Sequence, residues 1–381
     1  MQTFTERNEQ IFKTFGHLME GVGHYTKNED LAKVQQNKMA VLIDNAVKDF
    51  SLKTGLPSYE AIKEAMTTNA SAVTFVKTQL PLIRKVFPSM ISQELVSVQP
   101  MSQPTTKIFY YDIQRDDATS VSADIHTKRT YADNEEYNPD SPKAIKEIVL
   151  KITDSSLTAV EKKLKASNTI ESYQDIMAYH GINVASDLNF ALGAEIVREW
   201  DRMVLQDMLD GATGGAATFD QSVPAGITYT DRKVWMETFY EKLIDIDTQI
   251  FKKTYRKTNW IVVPAEVAGF MEKMAGFRAD DASTIEQKII STGGRYFMGT
   301  LNSRWRIYVD PFFPSNKVLM GYNNASNWMD TCYVWAPYIL SYFSDPFTNP
   351  DTFVTTRAIL SRAGMKCVRG DLLGVLTITG S

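Results

Sequence analysis

The sequence predicts an α+β fold organised on one long helix, and three observations carry that prediction. Beyond Gly181, apolar residues recur at Ala185, Leu188, Leu192, Ile196, Trp200, Val204 and Met208, steps of three and four that form one helical stripe. Short runs rich in β-branched and aromatic residues are separated by Pro, Asn, Gly and Ser turns, without the repeated βαβ order of a parallel-sheet protein. Two further strand-like runs, Lys107 to Ile113 and Lys143 to Ile152, flank a polar stretch; Asp112 to Glu147 holds nine acids against five bases. That arrangement reads as a long projecting hairpin, and loops of such length in a compact protein are disordered or functional.

With 381 residues, 44% hydrophobic and 23% charged, the chain has room for two or three domain-sized units and the composition of a soluble globular protein. A net charge of −4 gives no general affinity for nucleic acid or anionic membrane. No apolar run approaches the ~18 residues of a membrane span, and MQTFTERNEQ lacks the pattern of a signal peptide. Cys332 and Cys367 are too few and too far apart for a disulfide framework or metal knuckle, so free thiols in a reducing compartment are expected.

Residues 1–80 read as an arm. Thr26-Lys-Asn-Glu29 has capping-box spacing ahead of a helical pattern through Leu31, Val34, Met39, Leu42, Ala46, Val47 and Phe50. Gly55-Leu-Pro57 ends it, and a second short helix starts at Ser58. These apolar faces are too few to make a core, so they should dock on another surface of this chain or of a neighbour. Pro88, Pro100 and Pro104 then punctuate short extended pieces. Thr158 to Ala166 reads as a short charged helix leading into a spine from about Ser167 to Gly211.

In the spine, Glu195 with Glu199 and Arg198 with Arg202 are like-charge pairs one turn apart, and Gly193 lies inside. Such pairs cost stability unless neighbours answer them, so packing rather than propensity should hold this helix. Residues 211–230 read as a flexible loop. Trp235 to Lys253 is an amphipathic helix, Trp260 to Val263 a buried strand, and Ala265 to Met274 a helix. Residues 278–300 are glycine-rich and expected to be mobile. Trp305 to Val309, Lys317 to Gly321, Thr331 to Trp335, Phe353 to Ser361 and Leu372 to Thr379 read as strands.

Catalytic constellations are missing. The sequence has no phosphate loop, no nucleophile elbow and no H-E-x-x-H zinc helix. His17, His24, His126 and His180 are scattered, and His180 marks a helix break rather than a site. The acids from Asp133 to Glu136 lack the alternation and central glycine of a calcium loop. No enzyme, cofactor or metal is expected; a site near His180, Asp175 and Glu171 is the one enzymatic alternative.

Three ordered motifs carry a resemblance. LIRKVFPSMISQELVSVQPMSQPT supplies Arg84, Pro88, Val98, Gln99, Pro100, Met101 and Pro104. Leu164-Lys165-Ala166, Ile170-Glu171, Gln174-Asp175, His180-Gly181, Glu195-Ile196, Glu199 and Arg202 follow. VLMGYNNASNWMDTCYVWAPYI, Asp345-Pro346 and FVTTRAILSRAG close the series. Over residues 80–381 this order resembles the major capsid proteins of contractile-tailed bacteriophages (myoviruses).

The resemblance implies the HK97-like capsid fold: 1–80 N-terminal arm; 81–105 peripheral domain, first part; 106–153 E-loop; 154–230 peripheral domain with the spine helix; 231–345 axial domain; 346–381 C-terminal strands returning to the body. It implies self-assembly into hexamers and pentamers of an icosahedral head enclosing the genome, with the location in the virion after assembly in the host cytoplasm. Partners would be copies of the chain, reached through E-loop and arm, then scaffold, portal and minor or decoration proteins. Packaged double-stranded DNA would be held without sequence specificity, and no membrane is involved. Expected inter-subunit contacts are Arg115, Asp116, Asp117, Lys128, Arg129, Glu135 and Glu136 of the hairpin and Glu195, Arg198, Glu199 and Arg202 of the spine. An encapsulin-type compartment protein is the alternative with the same fold. Relatives are often trimmed after Ile/Leu-x-Glu. Leu18-Met19-Glu20, Ile62-Lys63-Glu64 and Ile145-Lys146-Glu147 fit at near-chance frequency, so the arm is expected to be retained.

Overall fold

A computed structural model describes residues 38–48, 92–115, 148–180, 184–222, 226, 232–274, 276–279, 296–324 and 330–380. In chain order these hold α1 (38–48), α2 (Ser92–Leu95), β1 (Ser97–Val98), β2 (Thr105–Arg115), β3 (Ile148–Thr158) and β4 (Val160–Thr169). Then come α3 (Ile170–His180), α4 (Val184–Gly211), β5 (Gly215–Asp220), α5 (Arg232–Thr254), β6 (Trp260–Val263), α6 (Ala265–Met271) and β7 (Phe277–Ala279). The remainder is β8 (Tyr296–Leu301), β9 (Trp305–Val309), β10 (Lys317–Gly321), β11 (Tyr333–Phe343), β12 (Phe347–Thr348), β13 (Val354–Cys367) and β14 (Leu373–Thr379).

Mixed helix and sheet is what the pattern predicted. The first sheet runs β1-β11-β13-β12, with β4 also on β13; the second runs β5-β14-β10-β6-β9-β8-β7; β2 and β3 pair alone. β11, inside the 231–345 block, joins the first sheet, while β5 and β14 join the second. Pro337, inside β11, coincides with a register shift between Pro337 and Ile339, the irregularity that lets a strand tolerate a residue without an N–H.

The spine helix lies on the first sheet. Its stripe buries Leu192, Ile196, Trp200, Val204 and Met208 in one core with Tyr333, Trp335, Ile359 and Ala363. Trp200 Nε1 donates to Ser361 Oγ at 2.9 Å, and that hydroxyl donates on to Ile339 O at 3.3 Å. On either side of Gly181, α3 ends at His180 and α4 starts at Val184; the expected break at 181–183 lies outside the described residues.

A second core packs α5 and α6 on the second sheet. Phe239, Leu243, Ile246 and Ile250, in steps of three and four, meet Trp305, Ile307, Val318 and Leu376. Phe239 stands edge-on to Phe219 at 5.2 Å and to Phe270 at 5.1 Å, the geometry that aromatic quadrupoles favour. Asp247 is a buried acid at this core. Asp247 Oδ1 accepts from Thr258 N (2.8 Å) and Thr258 Oγ1 (2.7 Å), while its other oxygen pairs with Arg304. Trp305 Nε1 donates to the same threonine hydroxyl at 2.9 Å.

Three segments differ from the sequence expectation. Residues 158–166 were expected to be helical, but 160–169 form β4, paired with β13 from Val160↔Ala363 to Thr169↔Val354. The ladder outweighs the helix propensity of Lys and Glu, and the burial of β4 alternates with period two. Within 211–230, expected as a flexible loop, 215–220 form β5 beside β14. Within 278–300, 296–301 form β8; residues 280–295 lie outside the described set.

The chain crosses between the sheets twice side by side, after Gly211 and after Cys367. Thr213 N and Gly214 N both donate to Gly370 O, at 2.9 and 3.0 Å, and Gly214 N also approaches Leu373 O at 2.9 Å. A Cβ on Gly370 would lie 2.0 Å from Gly211 O, and one on Gly214 2.2 Å from Asp371 O. Only glycine permits that backbone approach.

The described part of the arm docks on its own chain. Met39, Ala40, Leu42, Ile43 and Val47 of α1 enter the first core. Asn45 Nδ2 donates to Met101 O at 2.7 Å and to Tyr338 O at 2.9 Å. Of the two surfaces expected for the arm, this chain or a neighbour, residues 38–48 take their own chain. The rest of the arm, with the candidate cleavage motifs at 18–20 and 62–64, lies outside the described residues, as does the motif at 145–147 in the hairpin. Asn45→Ala should cost about 1–3 kcal/mol, because a buried carbonyl and a half-buried one lose their donor. Urea unfolding would measure it, and proteolysis should reach 38–48 sooner.

Candidate assembly surfaces

The sequence motifs become geometry around β11. Gln99 N donates to Trp335 O (2.9 Å) and Met101 N to Pro337 O (3.0 Å), so VQPM continues the β1 ladder along β11. Pro100 falls between these two donors, where the missing N–H is not needed. Val98 and Met101 are buried. The hairpin grows from this point: Ile108, Leu157 and Ala159 bury against Met101, Val334 and Ala336. β2 and β3 then pair residue for residue from Thr105↔Thr158 to Arg115↔Ile148.

Arg115 is thus the last residue of β2, opposite Ile148. Asp116, Asp117, Lys128, Arg129, Glu135 and Glu136 lie outside the described residues. Near the hairpin root, Lys107 Nζ and an Asp154 oxygen are 2.6 Å apart. Their hydrogen bond and mutual attraction raise the lysine and lower the aspartate from their ordinary values.

On the spine, the like-charge pairs are answered partly within the helix and partly from elsewhere. Lys162 of β4 reaches Glu199 at 2.8 Å and lies 5.5 Å from the Trp200 ring centre. Arg198 pairs with Glu195 at 2.8 Å, and the Arg202 guanidinium stacks 4.2 Å from the ring centre of Phe312. Phe312 is 61% exposed and comes from the turn after β9. The structure gives all four predicted spine residues partners within the chain. Lys162 and Phe312 were not foreseen, being distant in sequence.

The described ends of the GYNNASNWMD segment, Gly321 to Asn324 and Asp330, are tied to α2 and to the turn between α5 and β6. A Cβ on Gly321 would lie 2.2 Å from the buried Trp260 ring, which accounts for that glycine. Asn259 and Asn323 exchange bonds, Nδ2 of the first to O of the second at 2.7 Å and N of the second to Oδ1 of the first at 3.1 Å. Asn323 Nδ2 also donates to Glu94 O at 3.3 Å. Asp330, 7% exposed, pairs with Arg256 at 3.0 Å.

Burial and the Asp207 carboxylate that accepts its hydroxyl at 2.9 Å push Tyr333 far above its ordinary range. Burial does the same to Tyr308, beside Glu94. Burial raises both free thiols too, Cys367 to about 11. Groups raised on folding stabilise the native state fully below their unfolded values and lose that contribution as pH climbs through the folded values. From pH ~9 toward ~11 these groups therefore withdraw stability, while Lys38, which burial lowers to about 8, adds stability over the same range. Cys367→Ser should remove part of the loss, read as the difference between its denaturation midpoint and that of the wild type from pH ~8 to ~11.

Among the described residues no group of His, Cys, Asp and Glu could hold a metal ion, and no helix is long and apolar enough to cross a membrane. Large apolar side chains nevertheless face outward: Met177 and Tyr179 on α3, and Phe347 and Phe353 flanking the β12–β13 turn.

The sequence matches the family described as Major capsid protein Gp23 over residues 72–130 and 111–370, most of the chain. The chain belongs to that family of bacteriophage structural proteins. Among its relatives, the major capsid protein of Enterobacteria phage T6 is 25% identical over 233 residues, covering 54% of this chain and 43% of that protein. That of Vibrio phage KVP40 is 23% identical over 219 residues, covering 54% and 42%. The chain thus matches less than half the length of these curated relatives. Of solved structures, the capsid of Myoviridae phage XM1 is similar with a TM-score of 0.47 at 11% identity, over 76% of this chain and 91% of that one. The Mycobacterium phage Bobi structure gives 0.47 at 12%, over 78% and 91%.

Proposed function

We propose that this chain is the shell-forming subunit of a tailed-phage head with the HK97-like fold, assembling into hexamers and pentamers around the genome. The family match across residues 72–370 carries the reading. Its function is structural rather than catalytic. The first sheet with α4 corresponds to the peripheral domain, and the second sheet with α5 and α6 to the axial domain. β2 and β3 are the root of the E-loop, whose acidic tip lies across a neighbouring subunit.

Two observations support self-association. A rigidly rooted two-stranded hairpin has no further strand partner among the described residues, and isolated hairpins are marginal in water. Apolar side chains as large as Tyr179, 83% exposed, and Phe347, 68% exposed, would be covered between copies. Arg115, Asp116, Asp117, Lys128, Arg129, Glu135 and Glu136 would contact the neighbour, with Glu195, Arg198, Glu199 and Arg202 presenting a charged face to it. Scaffold, portal and decoration proteins and sequence-independent DNA are the remaining partners, in a virion assembled in the host cytoplasm.

The test is electron microscopy and sedimentation of the full chain, alone and with a co-expressed scaffold. Rings of five and six or closed shells are expected. A monodisperse monomer at high concentration under both conditions would sink the reading.

A further inference from the structure

The second sheet has two outer edges. One is β7, only three residues long; the other is β5. β5 runs parallel to β14, and along such a strand alternate residues turn their backbone groups toward the partner and the intervening ones away. Gln221 N donates to Thr379 O, so 217 and 219 face β14 while Ala216, Thr218 and Asp220 face outward.

The first outward rung is occupied. Ala216 N donates to Gln249 Oε1 at 3.1 Å, and Gln249 Nε2 donates to Ala216 O at 3.3 Å. A neighbouring strand would make this same pair of bonds. Bulk does not protect the edge, since an open groove of about 380 Å³ lies beside it, lined by Ala217, Thr218, Lys242, Asp245, Thr248, Gln249 and Lys252. The last outward residue, Asp220, carries a charge and accepts from Ser222 N at 2.9 Å. Among the described residues Thr218 is left as the one open rung, and a single rung does not hold a strand.

We propose that the Gln249 carboxamide is a fixed rung that closes the outer edge of β5 against strand pairing by second copies of this chain. The proposal rests on the reading that copies gather at high local concentration, where an open sheet edge would compete with capsomer contacts. Gln249 is exposed and outside both cores, so its replacement leaves the packing intact.

The experiment uses the full chain as wild type, Q249A, Q249N, Q249E and T248A. Hydrogen exchange is read at the Ala216 amide, and light scattering with thioflavin fluorescence follows association. In Q249A and Q249N, whose side chains cannot span the gap, the Ala216 amide should exchange about tenfold faster or more. Both should form large strand-rich aggregates at concentrations where wild type and T248A do not. Q249E keeps the acceptor for Ala216 N–H and adds charge at the edge, so it should stay dispersed. Unchanged exchange at Ala216 in Q249A and Q249N, or both variants staying as dispersed as wild type, overturns the proposal. Shell formation by wild type is read separately by microscopy, so a failure of the assembly reading and a failure of the edge reading give different results.

Discussion

Trp200→Ala should destabilise the chain by about 3–5 kcal/mol, the range for removing a buried aromatic side chain from a packed core. Trp200 is wholly buried between the spine helix and the first sheet. Its loss opens a cavity at the centre of the first core, and the Ser361 hydroxyl loses the donor that it accepts from. Lys162 also loses the ring beneath its ammonium. Trp200→Phe separates these effects. It keeps most of the packing and removes one buried hydrogen bond, so about 1–2 kcal/mol is expected. Urea midpoints at constant m-value would measure both, and an alanine effect under about 1 kcal/mol would mean that the spine is held elsewhere.

Asp247→Ala should cost about 3 kcal/mol or more, because it strands polar groups rather than merely deleting one. The amide of Thr258, buried with its side chain, loses its acceptor, and Arg304 loses its counter-ion. The Thr258 hydroxyl, which accepts from Trp305, loses the carboxylate that fixes its orientation. Asp247→Asn keeps an oxygen for Thr258, and the partly exposed Arg304 can hydrate, so about 1–2 kcal/mol is expected. Equal losses in the two variants would show that charge, not hydrogen-bond geometry, organises this corner.

Much of the architecture was legible. β6, β9 and β10 fall on the residues the sequence marks, because each is a short buried run bounded by turns. α5 extends the expected helix by a few residues at its start. β4 was hidden by composition: Lys162, Lys163 and Lys165 suggest a helix, and the alternation with Leu164 and Ala166 emerges only once β13 lies alongside. β5 carries little alternation, since GAATFD has one large apolar residue, Phe219, among small and polar ones, and its partner follows more than a hundred residues later. Among the candidate contacts, the spine charges were singled out by their mutual repulsion; Glu195 and Arg198 answer each other locally, but Lys162 and Phe312, which answer Glu199 and Arg202, are remote in sequence. Asn45, Asp247 and Gln249 were not anticipated. Asp247 left a trace, an acid beside the apolar stripe of Leu243, Ile246 and Ile250.

The paired passages near Gly211 and Gly370 set how force travels through the subunit. Two chain segments tied by short backbone bonds behave like a strap rather than a string. A strap flexes about one axis and resists torsion about its length. With the third passage between the sheets, after Gly321, tied by the Asn259–Asn323 bonds, and with Trp260 and Leu319 of the second sheet entering the first core, the strap leaves the two bodies only small displacements.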